Sequence, residues 1–139
     1  MSALPQRGES PTTKRIRILK LFNLPYTLDP FEDRLISQGY DVHNAENYAA
    51  AIDLAHEERP ALIIVYDSPD HGVDAFEWIR RQHTDRFGWM ATTPLIILAD
   101  GDRAMHLKSE ELPDRIMVLR RHADTLNTLT RLTNRLLRD

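Results

Sequence analysis

Tyr66 and Asp67 stand where an unbroken apolar run, Leu62-Ile63-Ile64-Val65, gives way to the polar turn Asp67-Ser68-Pro69-Asp70-His71-Gly72. A carboxylate in such a place can act as a nucleophile toward phosphorus, or join other acids around a divalent cation. Asp70 and Asp100 are the acids that would complete a cation site with Asp67, because Asp100 follows a second apolar run, Pro94 to Ala99. Tyr66 offers a phenol, almost wholly protonated near neutral pH, which forms no acyl phosphate. Successive strand residues point to opposite faces, so Asp67 enters the pocket of Tyr66 only through a bulge. The plainer role for these acids is in polar loops, capping the helices that follow.

Other chemistries find little footing. There is no cysteine, which excludes disulfides, thiolate metal sites and cysteine nucleophiles. The five glycines are isolated, so no phosphate-binding loop is present. His43, His56, His83, His106 and His122 are scattered, with no pair at i, i+4 and no arrangement with serine and aspartate that suggests a triad. Asp70 and His71 are too few ligands for a metal by themselves, and His71 reads as a loop histidine. Phe87 and Trp89 sit in a long loop, His83 to Thr93, and suit either a partner anchor or a flap folded over the sheet edge.

The elements that position these residues follow from patterning. Strands are expected at 15–22, 40–43, 62–65 (running into Tyr66), 94–99 and 116–119. Asp29-Pro30 reads as a cap and first helical residue, with Gly39 closing the helix. A second helix starts near Glu46 or Asn47 and stops before Pro60. A third carries Val73, Ala75, Phe76 and Ile79, a short fourth spans 101–112, and a closing helix spans 124–137. Strand and helix alternate five times, which predicts right-handed βαβ units and a parallel sheet. Ligands of such sheets gather at the carboxyl ends of the strands, where Tyr66 and Asp67 lie.

Of 139 residues, 1–14 form a polar leader and 15–139 one domain. Hydrophobic content of 42% and charged content of 28% suit a globular protein, and no run reaches membrane-spanning length, so a cytoplasmic protein is expected. The net charge of −3 is uneven, with arginines enriched at both ends. The basic closing helix reads as a solvated face, and nucleic acid is not the expected partner.

Phe31-Glu-Asp-Arg-Leu35-Ile-Ser-Gln-Gly39-Tyr40-Asp-Val42, Ala45-Glu-Asn-Tyr-Ala49-Ala-Ala-Ile52, Pro60-Ala-Leu-Ile-Ile-Val and Thr93-Pro94-Leu-Ile-Ile-Leu98 together resemble the receiver domains of bacterial two-component response regulators, from about Arg15 to Leu137. The resemblance implies an α/β, flavodoxin-like (βα)5 three-layer sandwich with a parallel five-stranded sheet of order 2-1-3-4-5. It also implies the positions of the phosphorylation machinery, and there the chain departs. The acidic pair that holds Mg²⁺ in the family falls on Phe22 and Asn23, and the phosphoacceptor falls on Tyr66, with Asp67 the alternative acceptor. The switch Ser or Thr falls on Ala99, and the lysine on Arg120 or Arg121.

The expectation is therefore a stand-alone pseudo-receiver: not an enzyme, without a cofactor, acting by protein–protein contact. Its partner would be a histidine kinase, another regulator or a second copy, met through the face formed by the fourth helix, fifth strand and fifth helix or through the Phe87–Trp89 loop. One alternative is an atypical receiver phosphorylated on Asp67 with Mg²⁺, held by Asp67, Asp70 and Asp100. A weaker one is a flavodoxin-like small-ligand site near Phe22, Tyr66 and Ala99.

Overall fold

Leu62 to Tyr66 and Leu95 to Ala99 are buried at every position, as unbroken apolar runs require when both faces of a sheet are covered. In the computed structural model, which describes residues 15–24, 29–121 and 125–138, these are the central strands of an α/β sandwich. In chain order the elements are β1 (Arg17–Leu21), α1 (Pro30–Ser37), β2 (Asp41–Ala45), α2 (Tyr48–Glu58), β3 (Leu62–Tyr66), α3 (Ala75–His83), β4 (Leu95–Ala99), α4 (Gly101–Lys108), β5 (Ile116–Arg120) and α5 (Thr125–Arg138). The strands form one parallel sheet of order β2-β1-β3-β4-β5. This is the flavodoxin-like arrangement expected from the sequence. The leader, 1–14, lies outside the described residues, as do His122 and Asp124.

The pleat divides the core into two layers. Ile63 and Val65 face a layer that includes Leu19, Leu21, Ile97, Trp78 and Leu107. Leu62, Ile64 and Tyr66 face the other, with Ile18, Leu98, Leu35 of α1 and Leu129 of α5. Along the final helix, Leu132, Leu136 and Leu137 are half-buried against this second layer, so its leucine stripe serves the core.

Local signals set the ends. Asp29 caps α1 by accepting from Phe31 N at 3.1 Å and Glu32 N at 3.3 Å, and Asn47 caps α2 through Ala50 N at 2.8 Å. Gly39 takes φ 95° after α1, which a β-carbon would strain.

Three expectations are corrected. Val73 precedes α3 and pairs with Ser68 in an isolated antiparallel bridge, because the turn between them reverses the chain at Gly72, φ 83°. The second strand starts one residue late and runs on to Ala45. The fourth helix ends at Lys108, where the Ser109 hydroxyl donates to His106 O at 2.6 Å and tightens the last turn, leaving Leu112 half-buried beyond the helix.

The loop from His83 to Thr93 contains a 3₁₀ turn, Gly88–Thr92. Gln82 is fully buried and donates to Met90 O at 2.9 Å and Thr93 O at 3.0 Å, while Trp78 Nε1 donates to its side-chain oxygen at 2.8 Å. Those bonds hold Met90 in the core. Trp89 packs against the same core, whereas Phe87 stays 39% exposed. Trp89 is thus the aromatic that folds back over the sheet edge.

Candidate functional site

Tyr66 ends β3 with its ring in the α1–α5 layer, edge-on to Phe22 at 4.6 Å between centroids. Its hydroxyl donates to both oxygens of Asp29, at 2.8 and 3.0 Å. Lys20, two residues before Phe22, points into the same layer. Its ammonium is 2.6 Å from Asp29 Oδ2 and 2.6 Å from Glu32 Oε1, with only 5% of the side chain exposed. It also lies 4.5 Å from the Phe22 ring centroid.

Asp29 thus does three jobs at once: it caps α1, accepts the phenol and neutralises the lysine. Burial is the main cause that pushes the Tyr66 phenol far above its ordinary value, with Asp29 second, while Arg121 opposes it. The phenol is committed as a donor, and an ammonium sits between the two carboxylates. The cluster is chemically quiet, since neither side chain is free to attack a substrate.

Asp67, the next residue, belongs to the other layer. Its side chain is 1% exposed and accepts from Arg103 Nε at 2.7 Å, Arg103 Nη2 at 2.9 Å and Ala75 N at 2.8 Å. Arg103 also reaches Asp74 Oδ1 at 3.0 Å. The arrangement is a bidentate fork that ties the first turn of α4 to β3 and to the start of α3. It pushes the Arg103 guanidinium up, chiefly through its hydrogen bond to Asp67.

The proposed cation set of Asp67, Asp70 and Asp100 is corrected: among the described residues no three acids or histidines converge as metal ligands. Asp67 is taken by Arg103. Asp70 lies exposed in the turn, and Asp100 pairs with Arg121 at 2.8 Å while its own side chain is 74% exposed. Of the three, Asp67 alone touches a helix start; the Asp100 side chain makes no cap bond.

The other candidate positions lie around these clusters. Asn23 donates to His71 O at 3.0 Å and so holds the turn after β3. Ala99 is fully buried, beside Arg120 in the sheet register. Arg120 lies against α4, where a β-carbon on Gly101 would come within 3.2 Å of its Nε. Arg121 is the one on the Tyr66 side, because its charge is felt by that phenol. A cleft of about 430 Å³ opens at the ends of β1 and β2, lined by Phe22, Asn23, Asn44 and Glu46 along with Lys20 and Glu32. Tyr66 and Ala99 do not line it, which corrects the expected small-ligand pocket: both are sealed in the core.

Lys20, Asp29, Glu32, Asp74 and Arg103 were not singled out by sequence reasoning as site residues. Two signals pointed to them. Lys20 is a cation inside an apolar strand, and a buried cation demands acids. Arg103 is a cation in the first turn of a helix, where the dipole opposes it unless carboxylates are near.

No model of a known protein family matches the chain, and no curated protein does. Solved structures do. The receiver domain of a signal transduction histidine kinase from Syntrophus aciditrophicus superposes with TM-score 0.69 at 22% identity, over 87% of this chain and 89% of that one. The chemotaxis response regulator CheY4 of Vibrio cholerae gives TM-score 0.67 at 18% identity, over 89% and 100%. The receiver domain of the hybrid histidine kinase CckA gives 0.64 at 20%, over 88% and 99%. The chain has the receiver-domain fold.

Proposed function

We propose that this chain is a pseudo-receiver: a module that acts in two-component signalling by docking to another protein, with no aspartyl-phosphate switch and no catalysis of its own. The observation that carries this reading is the self-filled site. Aspartyl phosphorylation needs a free carboxylate and a divalent cation that offsets charge on the transferring group. At the end of β3 the phenol of Tyr66 is bonded to Asp29, and the ammonium of Lys20 occupies the space between Asp29 and Glu32. Asp67, the alternative acceptor, is buried on the other face under Arg103. Phe22 and Ala99 contribute no ligand oxygen or hydroxyl.

In this reading the partner is a histidine kinase, another regulator or a further copy, and the likeness to receiver domains of kinases and regulators supports it. The docking surface in this reading is the α4–β5–α5 face. Met105 of α4 is 72% exposed there, and Met117 and Leu119 of the edge strand β5 are half-buried. Edge strands with apolar side chains suit partner contact. Among the described residues no helix is long and apolar enough to cross a membrane.

The test is intact mass after incubation with Mg²⁺ and a small-molecule phosphodonor, with Asp67→Asn in parallel. An unchanged mass is expected. A single phosphoryl adduct that disappears in Asp67→Asn would overturn the proposal and make Asp67 the acceptor.

A further inference from the structure

The edge of the sheet opposite the Tyr66 site, where the strands begin, carries charges of both signs that have no ion-pair partner among the described residues. One half is basic and aromatic. Arg59 lies 4.9 Å from the Trp89 ring centroid and Arg86 lies 5.0 Å from that of Phe87, while the two rings stack at 6.3 Å. Arg59 holds this place in the left-handed region, φ 48°, at a helix end where glycine is the usual residue. Strain of that kind is a pointer to function when the side chain is put to use.

The other half is acidic: Glu110, Glu111 and Asp114, just before β5. All five charged residues are exposed, and among the described residues none has an ion-pair partner. The halves lie side by side because β4 and β5 are neighbours. Leu95 N donates to Arg115 O at 2.9 Å, and Arg115 Nη1 donates to Thr93 O at 3.4 Å across the seam.

We propose that this edge is a self-association surface, on which a second copy docks about a two-fold axis so that the arginine half of each meets the acidic half of the other. The mixed charge decides the occupant. An acidic protein or a nucleic acid would meet Glu110, Glu111 and Asp114 along with the arginines, and a basic partner would meet Arg59 and Arg86 along with the acids. A two-fold copy satisfies both halves, since an isologous contact places each patch on its complement. Phe87, 39% exposed within the arginine half, supplies apolar surface to the contact. The acidic half lies in the connection between α4 and β5, so this surface borders the α4–β5–α5 face at one end, while its arginine half lies at the far end of α2 and in the loop after α3.

Sedimentation velocity on the full chain tests it, at low and high salt and over a range of concentrations. A dimer is expected at low salt, with its dissociation constant rising about tenfold or more when salt is raised toward 0.5 M, because the contacts are exposed charges. Glu110→Arg with Glu111→Arg should give a monomer, and so should Arg59→Glu with Arg86→Glu. An equimolar mixture of the two variants should restore the dimer, since each then offers what the other needs. The milder pair Glu111→Gln and Arg86→Gln should each weaken the dimer, with circular dichroism confirming the fold. A monomer at every salt, a dimer indifferent to the reversals, or a mixture that stays monomeric would each overturn the proposal. Dimerisation lost instead on Met105→Glu would assign it to the α4–β5–α5 face and overturn it equally.

Discussion

Tyr66 and Asp67 are neighbours in the chain, yet the pleat of β3 sends them to opposite layers, where each anchors a different kind of polar cluster. On the α1–α5 side a phenol and an ammonium converge on Asp29 and Glu32. On the α3–α4 side a carboxylate receives a guanidinium fork and a helix N–H. The first cluster fills the space at the strand ends, and the second fastens a helix. One sheet edge thus holds both a self-neutralised site and a tether on α4, and neither leaves a free nucleophile.

If that contrast is right, the largest effect comes from the tether. Asp67→Ala removes the carboxylate and leaves Arg103 facing a buried gap, with Ala75 N uncapped. A loss of about 3 kcal/mol is expected in urea unfolding, the low end for breaking a buried pair because Arg103 is partly hydrated. A loss below about 1 kcal/mol, the level of an exposed pair, would mean that the fork is ornamental.

Next is Lys20→Met, which keeps the packing but leaves Asp29 and Glu32 without their cation. A cost of about 2–3 kcal/mol is expected. Millimolar Mg²⁺ should raise the melting temperature of this variant and leave the parent unmoved, since a ligand stabilises only where it binds the folded state. An equal Mg²⁺ response in both proteins would show that the ammonium does not hold the place of a cation.

Tyr66→Phe should cost less, about 1–2 kcal/mol, because Asp29 keeps Lys20 and its helix cap. The same variant carries a pH signature. The folded phenol titrates above its ordinary value of 10.0. Its contribution is therefore complete below that pH and is lost as pH rises above it, where the unfolded chain releases a proton that the folded chain retains. Stability of the parent should fall more steeply than that of Tyr66→Phe between roughly pH 10 and 11. Parallel slopes would place the phenol outside the buried network.

The smallest effect expected is the coupling between the clusters. Asp67→Ala with Tyr66→Phe should be additive within about 0.5 kcal/mol, since the two groups share no partner and the sheet separates them. A larger coupling would mean that the layers communicate through β3, and the contrast would then be between two ends of one network.

Much of this was legible in the chain. Unbroken apolar runs at Leu62–Val65 and Leu95–Ala99, with Asp29-Pro30, Asn47 and Gly39 at helix ends, carried the sheet class and most element boundaries, because burial on both faces and capping are local demands that a sequence must meet in place. The alternation rule also foretold that Asp67 would leave the pocket of Tyr66.

How the polar groups at the strand ends pair with one another was decided in three dimensions. Lys20, Asp29, Glu32 and Tyr66 come from β1, the entry of α1 and β3, and Arg103 meets Asp67 from 36 residues away. No local pattern marks such pairs, because a charge can be buried only where the fold brings its counter-charge within hydrogen-bond reach. The sequence determined that this chain forms a five-stranded receiver-type sheet, since backbone and core demands repeat along the strands. The tertiary structure alone decided that the site is filled and neutralised from within.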